Sequence, residues 1–177
     1  MINAIAAARS VGFETVALLN VETLTAMPEV RDMCAANKCA AYGHNWSCPP
    51  ICGSLEECKE KIQQYSNGIL VQSIGDLEDS WDYEGMKDLE ETHKARFQKL
   101  ASVLHNIRID FLPLSAGCCT ICETCAYPQS CRFPQKMMSS MEAYGLLVNA
   151  VCSDNHVAYY YGPNKLSYTS CILFRQD

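Results

Sequence analysis

The stretch Gly117 to Pro134, GCCTICETCAYPQSCRFP, places five cysteines within fourteen positions. Its spacing Cys119-x2-Cys122-x2-Cys125-x5-Cys131 is the strongest chemical signal in the chain. Three thiols at two-residue gaps can wrap one short loop around three corners of an iron–sulfur cubane, with a fourth ligand further along near a proline. Here that proline is Pro134, three residues after Cys131. A tetrahedral zinc ion more often draws its ligands in pairs from two separate knuckles, so a third cysteine inside one loop is not what zinc requires. Soft thiolates suit both metals, and a dithiol or disulfide is a further use of such a loop.

A second constellation lies upstream in CAANKCAAYGHNWSCPP, where Cys34-x4-Cys39-x8-Cys48 precedes Pro49 and Pro50. This spacing is less specific. Gly43, Asn45 and the two prolines suit a backbone folded around a ligand. Cys52 is a candidate fourth donor, and His44 is a candidate ligand or proton relay set against the commoner solvated loop histidine. Cys58, Cys152 and Cys171 fall on apolar faces and read as small buried hydrophobes, and Cys118 reads as a bystander. His93, His105 and His156 carry no ligand signal. Tyr42, Trp46 and Tyr127 flank the cysteine loops, where they either shield a cluster or fill core space. Arg132 either donates to a cluster sulfide or binds an anion, or it is simply exposed.

These residues resemble a known family, the predicted metal-binding proteins described as domain of unknown function 2284. The resemblance rests on CAAYGHNWSCPP, GCCTICETCAYPQSCRFP and SSMEAYGLLV, and it extends from about Val30 to the end. It implies metal or cluster binding at Cys34, Cys39, Cys48, Cys119, Cys122, Cys125 and Cys131, and it supplies no reaction. Cys52, Cys58 and Cys118 are additional to its pattern. If each loop holds one [4Fe–4S] cluster, seven cysteines leave one iron of the first without a cysteine from that pattern. That iron would take Cys52, His44 or an exogenous molecule, or else Cys131 would serve the first loop.

The remainder of the chain must position these loops. The expected architecture is one mixed α/β domain over residues 1–177, with cysteine-rich loops at strand ends. Met1–Arg9 reads as a helix and Thr15–Leu19 as a strand, followed by a loop from about Pro28 to Gly53. A helix begins at Ser54, with a capping box to Glu57. GILVQSI reads as a strand, and Tyr83–Asn106 is the longest helix. IDFLPLS is a strand leading into the second cysteine loop. SSMEAYGLLVNAVC reads as a helix capped by Ser139 and Glu142, its positive N-terminal end facing the cysteines. HVAYYYG and SYTSCILF are two β-prone runs about a turn at Gly162–Asn164.

With 177 residues, 49% hydrophobic and 19% charged, the chain can bury a substantial core. Its formal charge of −6, with basic residues scattered, argues against nucleic acid and anionic lipid as partners. No apolar run spans a bilayer, and the start MINAIAAARSVGFE lacks a secretory leader, so the expected location is the cytoplasm. Twelve cysteines in a reducing compartment point to metal or redox chemistry. Three functions follow: an electron carrier or redox accessory docking to a redox partner protein, an enzyme with a three-cysteine cluster and an open iron, or a zinc-bearing module without catalysis. No phosphate-binding glycine loop implies a nucleotide.

Overall fold

A computed structural model describes residues 2–175. Among them are five α-helices and one four-stranded antiparallel sheet. The strands are β1 (Thr15–Asn20), β2 (Asn67–Asp76), β3 (Phe111–Leu114) and β4 (Lys165–Phe174), in spatial order β1-β2-β4-β3. β4 is central, its Cys171 opposite both Leu70 of β2 and Leu114 of β3.

The sheet is covered on both sides, which explains why its inner strands read as unbroken apolar runs instead of alternating ones. Ile69, Val71 and Ile172 face α1 (Ile2–Ser10) and α4 (Tyr83–Asn106), meeting Ala4, Ala8, Phe97, Leu100 and Leu104. Leu70, Cys171 and Leu173 face the opposite layer of α3 (Leu55–Ile62), a 3₁₀ turn at Glu142–Tyr144 and α5 (Val148–Asp154). Along α4 the buried residues His93, Phe97, Leu100, Ala101 and Leu104 recur at helical spacing and form one stripe against the sheet.

Four local expectations change. The first helix runs Ile2–Ser10, and Met1 lies outside the described residues. The expected loop from Pro28 begins instead with α2 (Pro28–Ala35), because Pro28 occupies the first helical turn, where its missing N–H is of no consequence. The helix expected from Ser139 to Cys152 is two pieces, divided at Gly145. Gly145 is left-handed (φ 78°), and a Cβ there would lie 2.5 Å from Leu55 Cδ1 and 3.1 Å from the Met27 backbone nitrogen. Its carbonyl accepts from Met27 N–H at 2.8 Å, so the chain turns there to pair with the segment before α2. Accordingly Ser139 does not cap a helix; Ser140 Oγ accepts from Ala143 N–H at 3.0 Å instead. Finally, HVAYYYG forms no strand. Its backbone is held by a β2 side chain: Gln72 Nε2 donates to Ala158 O at 3.0 Å, and Tyr161 Oη donates to Gln72 Oε1 at 2.6 Å.

The capping box at Ser54 and Glu57 is present with both reciprocal bonds. The first cysteine loop therefore joins α2 to α3. The second is a long excursion after β3, closed at its neck by Ser115 N–H to Ser139 O (2.8 Å) and Met141 N–H to Ser115 O (3.1 Å).

Candidate metal centre

All twelve cysteines are free thiols. Four of them, Cys119, Cys122, Cys125 and Cys131, line a single cavity that Asn45, Trp46, Phe133 and Met137 help to enclose. The three closely spaced cysteines and the distant one thus border one space. Arg132, exposed beside Cys131, donates to Thr124 O at 3.0 Å and so braces the loop that carries Cys122 and Cys125. Among the described residues, no three His, Cys, Asp or Glu side chains are gathered so as to hold a single metal ion.

The two cysteine loops are sewn together by a buried polar network. Asn45 Oδ1 accepts from Ser47 N–H at 3.0 Å and from Ser47 Oγ at 2.9 Å, fixing a local turn. Ser47, fully buried, then presents its oxygen to the Cys119 N–H at 2.9 Å, while Asn45 Nδ2 donates to Cys119 O at 3.2 Å. Trp46 reaches across as well: its Nε1 donates to Gln129 O at 2.9 Å, and its ring meets Tyr127 edge-on at 5.2 Å. Trp46 is therefore a wall of the four-thiol cavity, with Tyr127 behind it. Tyr42 instead lines a separate cavity beside Arg31. Asn45 is marked by the sequence as a loop-turning residue, whereas Ser47 is not singled out by composition or spacing. The short Asn-x-Ser turn is the one sequence signal that marks them.

Burial and hydrogen bonding set the state of these thiols. Burial raises the Cys119 thiol above its ordinary range, and backbone N–H groups of Ile121 and Met138 directed at its sulfur pull the other way. Cys48 is pushed up to about 11 by burial, opposed by its hydrogen bond with Ser47 and reinforced by the neighbouring Cys118, Cys39 and Cys34. Cys34 is likewise raised by burial and then by Glu142. Cys34, Cys39 and Cys48 thus lie within electrostatic reach of one another, and Cys118, read as a bystander, is within the same reach of Cys39 and Cys48. The Cys118 carbonyl accepts from Lys94 Nζ at 3.0 Å, and Lys94 is also paired with Glu90.

Cys52 is the candidate extra donor. Its sulfur lies 3.8 Å from Ala143 O and 3.9 Å from Arg31 Nη1, whose Nη2 is 3.6 Å from Cys58 Sγ. The neighbouring Cys52 thiol, with Arg31 assisting, lowers the Cys58 thiol against the opposing effect of its burial. His44 is exposed in a turn, its N–H bonded to Ala41 O at 3.1 Å. The 3₁₀ turn at Glu142–Tyr144 shows the thiols carbonyls where a helix N-terminus was expected: Cys34 Sγ lies 3.9 Å from Glu142 O. Cys58, Cys152 and Cys171 are buried in the core, as expected of small apolar residues. His105 and His156 are exposed, whereas His93 is buried between Ser73 and Ser170.

The family model for predicted metal-binding protein (DUF2284) matches residues 17–174. The chain belongs to this family. Comparison with curated proteins and with solved structures gives no significant match. Membership in DUF2284 carries the description of metal binding, and the donor chemistry found here is consistent with it: soft thiols from two loops, hydrogen-bonded into one assembly. No helix among the described residues is long and apolar enough to cross a membrane.

Proposed function

We propose that this chain is an iron–sulfur protein that acts in electron transfer or as a redox accessory. In this reading Cys119, Cys122, Cys125 and Cys131 hold a [4Fe–4S] cluster, and Cys34, Cys39 and Cys48, with Cys118 in reach, hold a second. The observation that carries it is the convergence of the four second-loop thiols, with Trp46, Phe133 and Met137, on one small cavity of about 20 Å³. Zinc draws four sulfurs to about 2.3 Å from one point, whereas a cubane takes each thiolate on a different iron and so needs thiols arranged around a body. A bound cluster supplies a one-electron couple. The protein's own part is to set its environment. Ile121 and Met138 N–H groups stabilise charge on the Cys119 sulfur, Trp46 and Phe133 limit water, and the Ser47 bridge keeps the loops in register. A net charge of −6 suits docking to a basic patch on a redox partner protein in a reducing, cytoplasmic setting.

That the first loop offers three cysteines of the pattern, Cys34, Cys39 and Cys48, favours a second reading, catalysis at an iron left open there. Anaerobic purification tests both. Iron and acid-labile sulfide in the colored protein, with an electron paramagnetic resonance signal that appears on reduction, is the expected result. A colorless, zinc-loaded, iron-free protein overturns the proposal. A spectral change on adding sulfide selects the open-iron reading, and reversible reduction without any response to sulfide selects the electron carrier.

A further inference from the structure

The negative charge of the molecule is not spread over its surface. Residues 76–91 hold eight of the 20 acidic residues and a single basic one, Lys87, whereas the rest of the chain sets 12 acids against 13 basic groups. This stretch, beginning DLEDSWDYE, joins the end of β2 to the first turns of α4. Its backbone is held in place. Leu77 N–H donates to Asn164 O at 2.8 Å, Asp79 Oδ1 accepts from Trp81 N–H at 2.6 Å, and Asp82 Oδ1 and Oδ2 accept from Gly85 N–H at 2.9 Å and Glu78 N–H at 3.0 Å. Asp76, Glu90 and Glu91 are paired with Lys165, Lys94 and Lys87, while Glu78, Asp79, Glu84 and Asp88 have no basic partner among the described residues. Nor do any three of these carboxylates gather so as to hold a metal ion. What they make is a negative surface.

Two aromatic residues stand within that stretch. Trp81 is 73% exposed and Tyr83 69% exposed, and Tyr83 N–H donates to Trp81 O at 2.8 Å, which keeps the pair together. Trp46, the other tryptophan, is packed into the metal centre against Tyr127, whereas Trp81 meets no other ring among the described residues. A loop held by its own hydrogen bonds thus presents to water the residue types that anchor protein interfaces, and a flanking charge of one sign selects its opposite. We propose that Trp81 and Tyr83, flanked by Glu78, Asp79, Glu84 and Asp88, are the docking surface for a lysine- and arginine-rich face of a partner protein. A second copy of this chain brings the same negative charge and is repelled, as are nucleic acid and anionic lipid. Glu84, Asp88 and Glu91, all exposed, are spaced to follow one face of α4, and Glu91 lines a cavity of about 220 Å³ that Cys118 and Cys119 also border. There Lys94 Nζ donates to Cys118 O at 3.0 Å. The negative surface therefore leads from the aromatic pair toward the second cysteine loop, about 16 Å along the helix axis from Tyr83 to Lys94. That the partner is a redox protein rests on the iron–sulfur reading; the docking surface does not.

Isothermal titration calorimetry of the anaerobically purified protein tests this, with oxidised cytochrome c as the lysine-rich probe. The expected result is association at about 20 mM salt that weakens about tenfold or more by about 200 mM. Glu78→Gln/Glu84→Gln should weaken binding at low salt and reduce its salt dependence. Glu56→Gln/Glu60→Gln, the same change of charge on α3, should leave both as in the wild type. Trp81→Ala should weaken binding about tenfold with the salt dependence unchanged, and Trp81→Phe should restore most of it. Equal weakening by the two charge variants, wild-type binding by Trp81→Ala, or no association at low salt overturns the proposal. Calorimetry reads association whether or not the preparation holds iron and sulfide. An iron-free protein that binds sinks the cluster reading alone, and a loaded protein that does not bind sinks the docking surface alone.

Discussion

Ser47 carries no thiol, yet its hydroxyl oxygen accepts the Cys119 N–H and stands beside the Cys48 sulfur at 3.7 Å. Ser47→Ala would leave that N–H without its acceptor in a buried place, a loss of roughly 1–3 kcal/mol. We expect thermal unfolding of the loaded protein to shift down by several degrees and iron to be lost faster to a chelator. Unchanged melting together with unchanged iron release would show that the two loops do not depend on this bridge. Cys171→Ala makes the opposite test. Its sulfur is fully buried on β4 and raised well above the thiol range by burial, so removal should lower stability by about 1 kcal/mol while leaving iron and sulfide content intact. At this scale the grouping of Cys119, Cys122, Cys125 and Cys131 around one cavity was readable because their spacing is local in the chain. The roles of Ser47 and Arg31, and the reach of Asn45 to Cys119, were not, because each depends on groups brought near only by folding, in the case of Asn45 a residue 74 positions away.

Among the elements, Gly145 is the position where backbone freedom is indispensable. Alanine there combines a left-handed φ with a Cβ that presses on Leu55 and the Met27 backbone, so Gly145→Ala should cost roughly 2–4 kcal/mol. Gly43, with φ 71° and nothing within 4 Å of its would-be Cβ, is the control: its alanine variant bears the conformational term alone, about 1 kcal/mol. Denaturant midpoints measured for both variants should separate them, and equal shifts would mean that the packing around Gly145 relaxes freely. The same glycine explains why the Ser139–Cys152 helix was misread: apolar spacing continues across it, and only the approach of the segment before α2 demands the break. α4 and the strands were legible because burial on a stripe or on both faces writes itself into the pattern. HVAYYYG shows where that logic stops, since β-prone composition says nothing about whether a neighbouring strand has a free edge to pair with.

For the molecule as a whole, His93 joins the layers. From α4 its two ring nitrogens meet Ser73 of β2 at 3.0 Å and Ser170 of β4 at 2.7 Å, with Phe13, Phe97 and Tyr168 around the ring. Burial, followed by the charges of Arg96 and Lys94, drives its pKa down to about 3. The folded state therefore keeps the ring neutral at a pH where the unfolded chain, with an ordinary histidine near 6.5, binds a proton. Its contribution is fully present above about pH 6.5 and falls as the pH drops toward 3, with a limiting slope of about 1.4 kcal/mol per pH unit. Glu57 and Asp82, both lowered by cap hydrogen bonds, also lose stabilisation on acidification, but chiefly below the ordinary carboxylate range. The interval from pH 6.5 to 5 thus isolates the histidine. His93→Gln, which keeps a neutral group between the two serines, should flatten the dependence of unfolding free energy on pH across that interval relative to the wild type. Parallel curves for the two proteins would show that the layer contact carries no titrating group.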